Sequence, residues 1–297
     1  MKKYSVTAFC AMCTLNTVYK ALDLSTSDEG LKLKIMQRVL NVMSENFSES
    51  TNPTFLANKI FPVINKMSGN PDPYKAIKDK SNEIAKKIVA EIKSHVFEPS
   101  NFDSRLLRGI AAAITGNVID YGNAFHKVNF DELKFIYFDI LKRGFAINHI
   151  DKLKLLINNA KEILYFGDNA GEVFFDRLLI EILKEKIDKV YFVVKGGPII
   201  NDATLDDALA AKIDEVAEIL TTGKPKLGID LTDISNEVKS LLDSVDFAIF
   251  KGQANFETVN YQLEQIKIPK VNIFRAKCKP ISEFLGVPLG SNIVIVQ

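Results

Sequence analysis

The loop Gly167-Asp168-Asn169-Ala170-Gly171-Glu172 is where the sequence places a carboxylate and an amide side by side. Residues 163–166 before it form a short apolar run typical of a strand buried on both faces, and apolar residues recur at helical spacing over 174–183. In an open α/β sheet the carboxyl ends of the strands face the ligand crevice, so Asp168 and Asn169 would lie there. Together they form half of a site for a hard metal ion. The alternative is that one of them only caps the following helix.

Two more polar loops follow predicted strands and would face the same crevice. The first follows residues 190–194 and contains Lys195, Asp202, Asp206 and Asp207. The second follows residues 245–250 and contains Lys251, Asn255 and Glu257. An aspartate of the first loop would complete an oxygen-rich site that suits Mg²⁺ or Mn²⁺ rather than Zn²⁺, because no histidine or cysteine is near. The lysine after each strand could neutralise a substrate phosphate.

Short apolar runs alternate with helical segments after residue 158, which predicts an α/β fold with a mostly parallel sheet covered by helices on both faces. Strands are predicted at 163–166, 190–194, 216–220, 245–250, 271–274 and 293–296. Before residue 158 nearly every periodic segment predicts a helix. We therefore expect an α-helical N-terminal domain over residues 1–155 and an α/β domain over residues 156–297.

Two helices of the N-terminal part carry polar residues that share a face. Lys78 and Asn82 are four residues apart on one helix, and Asn117 and Asp120 are three apart at the end of another. Because loops after parallel strands form only one wall of a crevice, we expect the helical part to be the lid that excludes water. Asn117 and Asp120 would then reach the site, with Lys78 and Asn82 at its rim. The alternative for Asn117 and Asp120 is a capped helix end followed by a turn.

Composition argues against several other classes of protein. The 297 residues contain 38 Lys plus Arg and 37 Asp plus Glu, which gives a net charge of +1. The sequence therefore lacks the excess of positive charge that is typical of nucleic-acid-binding proteins. Thr7, Thr14 and Asn16 interrupt the apolar N-terminal segment, which argues against a signal peptide, and no later segment has the apolar length of a membrane span. We expect a cytoplasmic protein whose partner is a small molecule, with neither nucleic acid nor a membrane; the sequence leaves its oligomeric state open.

Three cysteines, Cys10, Cys13 and Cys278, are too few for a disulfide scaffold. Cys10 and Cys13 would lie on one side of a helix, and Cys278 follows the predicted strand at 271–274, so we expect the three thiols to lie together. Such a cluster could bind a soft metal such as Zn²⁺ or form a redox-sensitive pair, and the alternative is ordinary burial. Thiolates are poor partners for Mg²⁺, so the cysteines are kept apart from the catalytic set.

The motifs GDNAGE, GGPIINDATLDDA, KGQANFE and AKCKPISEFLGV occur in this order. In these motifs the chain resembles the metal-dependent damage-control phosphatases, also known as domain of unknown function eighty-nine. Cys10-x-x-Cys13, Asp72-Pro73-Tyr74, and Asn117 with Asp120 are similar to its prokaryotic Cys-x-x-Cys branch. The resemblance covers nearly the whole chain and implies a Rossmann-like α/β/α sandwich behind an α-helical N-terminal part.

The resemblance also implies a phosphomonoester hydrolase for sugar phosphates, or phosphopantetheine-like or damaged phosphometabolites. Its cofactor would be a divalent cation (Mg²⁺, Mn²⁺, Co²⁺ or Ni²⁺), and its metal ligands map onto Asp168, Asn169 and Asp206. We expect Lys251 to act with Asp168 in the catalytic set by balancing the charge of the phosphoryl group. Further candidates for substrate contacts or support are Glu172, Asn255 and Glu257. The arginine-and-lysine motif of the eukaryotic branch is absent, so its substrate preferences do not transfer.

Two other functions compete with this interpretation. An adenosylmethionine-dependent carboxyl methyltransferase can carry a similar loop after its first strand, but such a site needs several closely spaced glycines, and here Gly167 and Gly171 flank the turn. A sugar-phosphate-binding protein without catalysis would keep the metal and lack turnover. Neither a P-loop nor a serine or cysteine nucleophile motif is present, which argues against an NTPase or an esterase.

Overall fold

The computed structural model describes residues 3–118 and 130–297 of the chain. Within these residues, six helices precede the first strand: α1 (Ala8–Ser25), α2 (Glu29–Asn46), α3 (Pro53–Ser68), α4 (Lys75–Phe97), α5 (Phe102–Val118) and α6 (Phe130–Arg143). The predicted helical texture of the N-terminal half is therefore confirmed over its described residues.

The second half alternates strands with helices in the predicted manner. Its strands are β1 (Ile147–Asn148), β2 (Glu162–Phe166), β3 (Lys189–Val194), β4 (Glu218–Thr221), β5 (Phe247–Lys251), β6 (Lys270–Arg275) and β7 (Asn292–Val296). Its helices are α7 (Ile150–Asn159), α8 (Glu172–Leu183), α9 (Leu205–Ala210), α10 (Asn236–Leu242), α11 (Gln253–Tyr261) and α12 (Lys279–Leu285). The two-residue strand β1 was not among the predicted strands, because it is too short to show a hydrophobic period.

The strands form one sheet in the order β1-β7-β6-β5-β2-β3-β4. Neighbouring strands are parallel except for the antiparallel pair β6 and β7. After β2 the chain builds outward through β3 and β4, and it then returns to the other side of β2 with β5. The strand order thus reverses between β2 and β5, and open α/β sheets bind ligands at the carboxyl ends of the strands at such a point. The topology places the candidate site after Phe166 and Lys251.

Alternation along β2 shows how the sheet is covered on both faces. Ile163 and Tyr165 belong to a core shared with α4, α5 and α8, whereas Leu164 and Phe166 belong to a core on the opposite face that includes residues of α10. Helices α1, α2 and α3 enclose a third apolar cluster. The predicted α/β/α sandwich with a mostly parallel sheet is confirmed. Since α4 and α5 of the helical half form one of the two covering layers, the domain boundary at residue 155 stays a prediction.

Within the described residues, no helix combines the length and the apolar character needed to cross a bilayer.

Candidate active site

Asp168 lies in the crevice between the carboxyl ends of β2 and β5. Its carboxylate packs directly on the backbone of Gly252, where a Cβ atom would lie 1.9 Å from Asp168 Oδ2. Gly252 has a φ of 81°, a conformation that residues with a side chain rarely adopt. Glycine is therefore required at position 252, before α11, both for its backbone conformation and because a side chain would collide with Asp168. The absence of a side chain at Gly252 leaves space for the Asp168 carboxylate.

Asn169 is joined through its backbone to the loop that follows β3. Asn169 and Asp202 form an isolated antiparallel bridge, and the N–H of Ala203 donates to the Asp168 carbonyl oxygen at 2.8 Å. These bonds bring the buried carboxylate of Asp202 next to the Asp168 loop. Lys195 Nζ lies 3.6 Å from Asp202 Oδ2 at the back of this group. Asp168, Asn169 and Asp202 therefore form one cluster of oxygen donors.

The expected third ligand, Asp206, does not belong to this cluster. It is exposed in the first turn of α9 and lines a different cavity from Asp168 and Asn169. The reason is the bridge between Asn169 and Asp202, which turns the chain back on the Asp168 loop before α9 begins. The aspartate that the structure brings beside Asp168 and Asn169 is therefore Asp202 rather than Asp206.

The electrostatics of the cluster fit a bound cation. Burial raises the pKa of Asp168 well above its usual range, and the charges of Glu172 and Asp202 raise it further, whereas Lys277 and Lys195 lower it. Ionised carboxylates held this close out of water need a counter-charge. Over residues 3–118 and 130–297, no group of three or more histidine, cysteine, aspartate and glutamate side chains is arranged to hold a metal by itself. Two carboxylates with the Asn169 amide oxygen make an open, all-oxygen donor set, which suits a hard cation that keeps several waters.

Asp168, Asn169 and Asp202 line a cavity of about 600 Å³, which we call the Asp168 cavity. Helix α1 contributes six of the other lining residues: Phe9, Met12, Cys13, Asn16, Thr17 and Lys20. Lys277 and Lys279 also line it, close to the start of α12. The helix of the helical half that lines this cavity is therefore α1, and its role as a lid stays a prediction. A cavity lined by both carboxylates and lysines can hold a metal and a phosphate together.

Asn117 reaches the cluster from α5 and supports it from below. Its Nδ2 donates to Asp168 Oδ2 at 3.0 Å and to Glu172 Oε2 at 2.9 Å, and its Oδ1 accepts from the N–H of Arg275 at 3.3 Å. Asn117 is buried and is absent from the residues that line the Asp168 cavity, so its contacts in the structure are with the side chains beneath the cavity. Its predicted companion Asp120 lies outside the described residues.

Lys251 and Glu172 form a buried ion pair beneath the cluster. Both side chains have 0% exposure, and Lys251 Nζ lies 2.6 Å from Glu172 Oε1 and 2.7 Å from Asp176 Oδ1. Burial alone lowers the pKa of Lys251, but Asp176 and Glu172 raise it above its usual range. Neither Lys251 nor Glu172 lines the Asp168 cavity. The structure therefore places Lys251 and Glu172 beneath the cluster, outside the cavity where their contacts with the phosphoryl group and with substrate were expected.

Lys78 and Asn82 line a second cavity of about 540 Å³, the Lys78 cavity, instead of the rim of the first. Lys78 is buried and donates to Asp72 Oδ2 at 2.7 Å. Asn82 accepts from the N–H of Gly171 at 2.6 Å and donates to Asp207 Oδ1 at 2.8 Å. Asn82 thus links the Asp168 loop to α9, a positioning role that the helical spacing did not reveal.

Asn255 and Glu257 on α11 differ in role although both were predicted together. Asn255 is fully buried and donates to the carbonyl oxygens of Gly167 and Lys251 at 3.1 and 2.6 Å, so it fixes the two loops to each other. Glu257 lines the Asp168 cavity and accepts from Thr54 Oγ1 at 2.7 Å. Burial raises the pKa of Glu257 to about 6. Glu257 therefore stays a candidate for substrate contact.

The three cysteines are free, and two of them share the site. Cys13 of α1 and Cys278 before α12 both line the Asp168 cavity, whereas Cys10 is buried. Burial raises the pKa of Cys278 to about 11, and burial also raises that of Cys13. The described cysteines belong to no group arranged to hold a metal, so the geometry does not support the zinc interpretation. Both cavity thiols are protonated at neutral pH, which leaves them weak nucleophiles.

Three lysines that line the Asp168 cavity were not singled out from the sequence: Lys20, Lys277 and Lys279. Lys20 lies in a segment of ordinary helical character, and Lys277 and Lys279 lie in the motif AKCKPISEFLGV, where only Cys278 was singled out. The available signal was the density of lysine around Cys278, at Lys277 and Lys279, directly after a strand whose carboxyl end faces the crevice.

Fold and site together define a member of a known phosphatase family. Residues 6–293 match the family model described as the damage-control phosphatase ARMT1-like domain. The match spans nearly the whole chain, and the chain belongs to this family. This confirms the resemblance; the placement in the Cys-x-x-Cys branch stays a prediction.

Individual relatives agree with this membership. The chain is 33% identical to a protein of Archaeoglobus fulgidus named damage-control phosphatase, over 98% of the chain and 99% of that protein. It is 31% identical to damage-control phosphatase PH1575 of Pyrococcus horikoshii, over 95% and 94% of the two chains. A crystal structure of a DUF89 family protein from Pyrococcus horikoshii superposes with a TM-score of 0.87 at 30% identity, covering 98% of this chain and 99% of that one.

Proposed function

We propose that the protein is a divalent-metal-dependent phosphatase that hydrolyses small phosphomonoesters. One observation carries the proposal: Asp168, Asn169 and Asp202 converge in a cavity whose other walls carry Lys20, Lys277 and Lys279. The cavity volume of about 600 Å³ lies in the range of small-molecule sites. Relatives named damage-control phosphatases support the same activity.

Asp168, Asn169 and Asp202 would hold the cation, for which Mg²⁺, Mn²⁺, Co²⁺ and Ni²⁺ are the candidates. When bound, the cation polarises the phosphoryl group and orients the attacking water. The bridge between Asn169 and Asp202 keeps the two loops in register, so the donor atoms are in place before substrate arrives.

Substrate recognition is assigned to the lysines and to α1. Lys20, Lys277 and Lys279, which line the cavity, would offset the charge of the phosphate. Phe9 and Met12 give the α1 wall an apolar surface that limits the water around the reacting group. The partner is then a small phosphorylated metabolite, with sugar phosphates and phosphopantetheine-like or damaged phosphometabolites as the candidates.

The test is release of inorganic phosphate from a panel of phosphorylated metabolites, with each of the four cations supplied in turn. We expect turnover by the wild-type protein and a loss of at least about 100-fold in Asp168→Asn, which keeps the size but removes one charge. Full activity of Asp168→Asn would refute the assignment. Tight binding of sugar phosphates without turnover would favour the binding protein, and methyl transfer from adenosylmethionine would favour the methyltransferase.

A further inference from the structure

The amide of Asn169 has to face one way to serve as a metal ligand, and buried carboxylates next to it decide which way. Asn169 Nδ2 lies 2.8 Å from Asp168 Oδ2 and 3.2 Å from Glu172 Oε2. An ionised carboxylate only accepts hydrogen bonds, so both contacts require the amide nitrogen on that side. The opposite orientation would place the amide oxygen against two carboxylates. The amide oxygen is thereby turned away from both and left for another partner.

Glu172 is itself held in place without solvent. Its Oε1 accepts from the ammonium of Lys251 at 2.6 Å, and Lys251 also donates to the carbonyl oxygen of Ala113 at 3.1 Å. The other oxygen, Oε2, accepts from Asn117 Nδ2 at 2.9 Å as well as from Asn169. Asn117 cannot turn over freely, because its Oδ1 accepts from the backbone of Arg275. Each polar atom of Glu172 therefore has a fixed donor.

We propose that Glu172, anchored by Lys251, is the positioning residue that sets the orientation of the Asn169 amide and so the affinity of the site for a divalent cation. The inference rests on the proposed function, since it takes Asn169 as a ligand. Carboxylates that orient ligands in this way change metal affinity by roughly 10- to 100-fold when they are replaced.

Asp176 supplies a matched control on the same ammonium. Its Oδ1 accepts from Lys251 at 2.7 Å and from the hydroxyl of Tyr165 at 2.7 Å. None of the hydrogen bonds described for Asp176 reaches Asn117 or Asn169. Asp176→Asn and Glu172→Gln therefore remove the same charge from the same buried group, but only Glu172→Gln disturbs the ligand amide.

The experiment is Mn²⁺ binding by calorimetry together with thermal unfolding in chelator, on the full chain. Glu172→Gln should weaken Mn²⁺ binding by roughly 10- to 100-fold, whereas Asp176→Asn should stay within about threefold of wild type. Both variants should lower the unfolding temperature in chelator. Wild-type affinity in Glu172→Gln, or an equal loss in Asp176→Asn, would overturn the inference.

Two further variants separate the possible failures. If the wild-type protein bound none of the four candidate cations, the proposed function and this inference would fail together. If wild type binds, Asp168→Asn does not, and Glu172→Gln binds like wild type, only the inference about Glu172 fails. If Glu172→Gln does not fold, Glu172→Asp replaces it in the experiment. This variant keeps a negative charge near Lys251, but its side chain is one methylene shorter and moves the carboxylate away from the amides of Asn117 and Asn169. The same loss of affinity is then expected, and unchanged affinity would contradict the inference.

Discussion

The carboxylate of Asp168 occupies the space that a side chain on Gly252 would need: a Cβ at Gly252 would lie 1.9 Å from Asp168 Oδ2. This contact joins the loops after β2 and β5, which are neighbours in the sheet but far apart in the sequence. The site is thus built into the point where the strand order reverses.

Gly252→Ala should therefore disrupt the site as well as the fold. With a φ of 81° the alanine is strained, and its methyl group displaces Asp168, so we expect a loss of roughly 2–5 kcal/mol in the free energy of unfolding and loss of Mn²⁺ binding. The control is Gly69→Ala, where φ is 70° but nothing lies within 4 Å of the added Cβ. It should cost about 1–2 kcal/mol and leave Mn²⁺ binding unchanged. Equal effects of the two variants in urea unfolding and calorimetry would contradict the contact.

Glu257 should make stability depend on pH. Burial raises the pKa of Glu257 from 4.5 to about 6 in the folded protein. Between pH 4.5 and about 6, the folded state therefore keeps a proton on Glu257 that the unfolded state has released. The stability associated with protonated Glu257 is complete below pH 4.5 and is lost as the pH rises through about 6. Glu257→Gln, which resembles the protonated form, should gain about 2 kcal/mol relative to wild type between pH 4.5 and 7. Urea unfolding in chelator at several pH values measures this difference, and a constant difference would exclude the shift.

Lys277 should contribute mainly to substrate binding. It lines the Asp168 cavity, and its charge lowers the pKa of Asp168, so it lies within electrostatic reach of the reacting group. Lys277→Gln should reduce kcat/KM by roughly 10- to 100-fold, chiefly through KM. Lys34→Gln, on the exposed face of α2, is the matched change and should have no effect. Kinetics at low and moderate salt would show whether the two lysines differ; identical kinetics would count against a phosphate contact.

Cys278 should react slowly with iodoacetamide. Burial raises its pKa from 9.0 to about 11, and the difference of two units means a roughly 100-fold smaller thiolate fraction at pH 8. Labelling followed by mass spectrometry should show a rate that rises steeply with pH, and rapid labelling of the same cysteine in urea is the control. Fast labelling of the folded protein at pH 8 would contradict the raised pKa of Cys278. It would instead support a redox-sensitive pair of cysteines.

The sheet and the position of Asp168 and Asn169 in the crevice could be predicted because they depend on local pattern. The apolar run at residues 163–166 needs only its own composition to indicate a buried strand, and the polar loop after it must then face the crevice. The sheet edge β1 could not be predicted, because two residues carry no period.

The positions of Asp202 and of α1 at the site depend on tertiary contacts that no local pattern encodes. Asp202 and Asp206 have the same side chain four residues apart, and only the backbone bridge from Asn169 distinguishes them. Lys251 ends β5 and Lys277 lies just after β6, but Lys251 forms the buried ion pair with Glu172 while Lys277 lines the Asp168 cavity. That α1 covers the site follows from how the helical half packs on the sheet.

We propose that Asp202, together with Asp168 and Asn169, forms the metal site of the phosphatase. The most direct measurement is Mn²⁺ affinity and phosphate release for Asp202→Asn beside Asp206→Asn, which make the same chemical change four residues apart. Asp202→Asn should lose at least about 100-fold in phosphate release and bind Mn²⁺ at least about tenfold more weakly, whereas Asp206→Asn should stay within about threefold of wild type in both. Wild-type behaviour of Asp202→Asn, with the loss appearing in Asp206→Asn instead, would contradict the account.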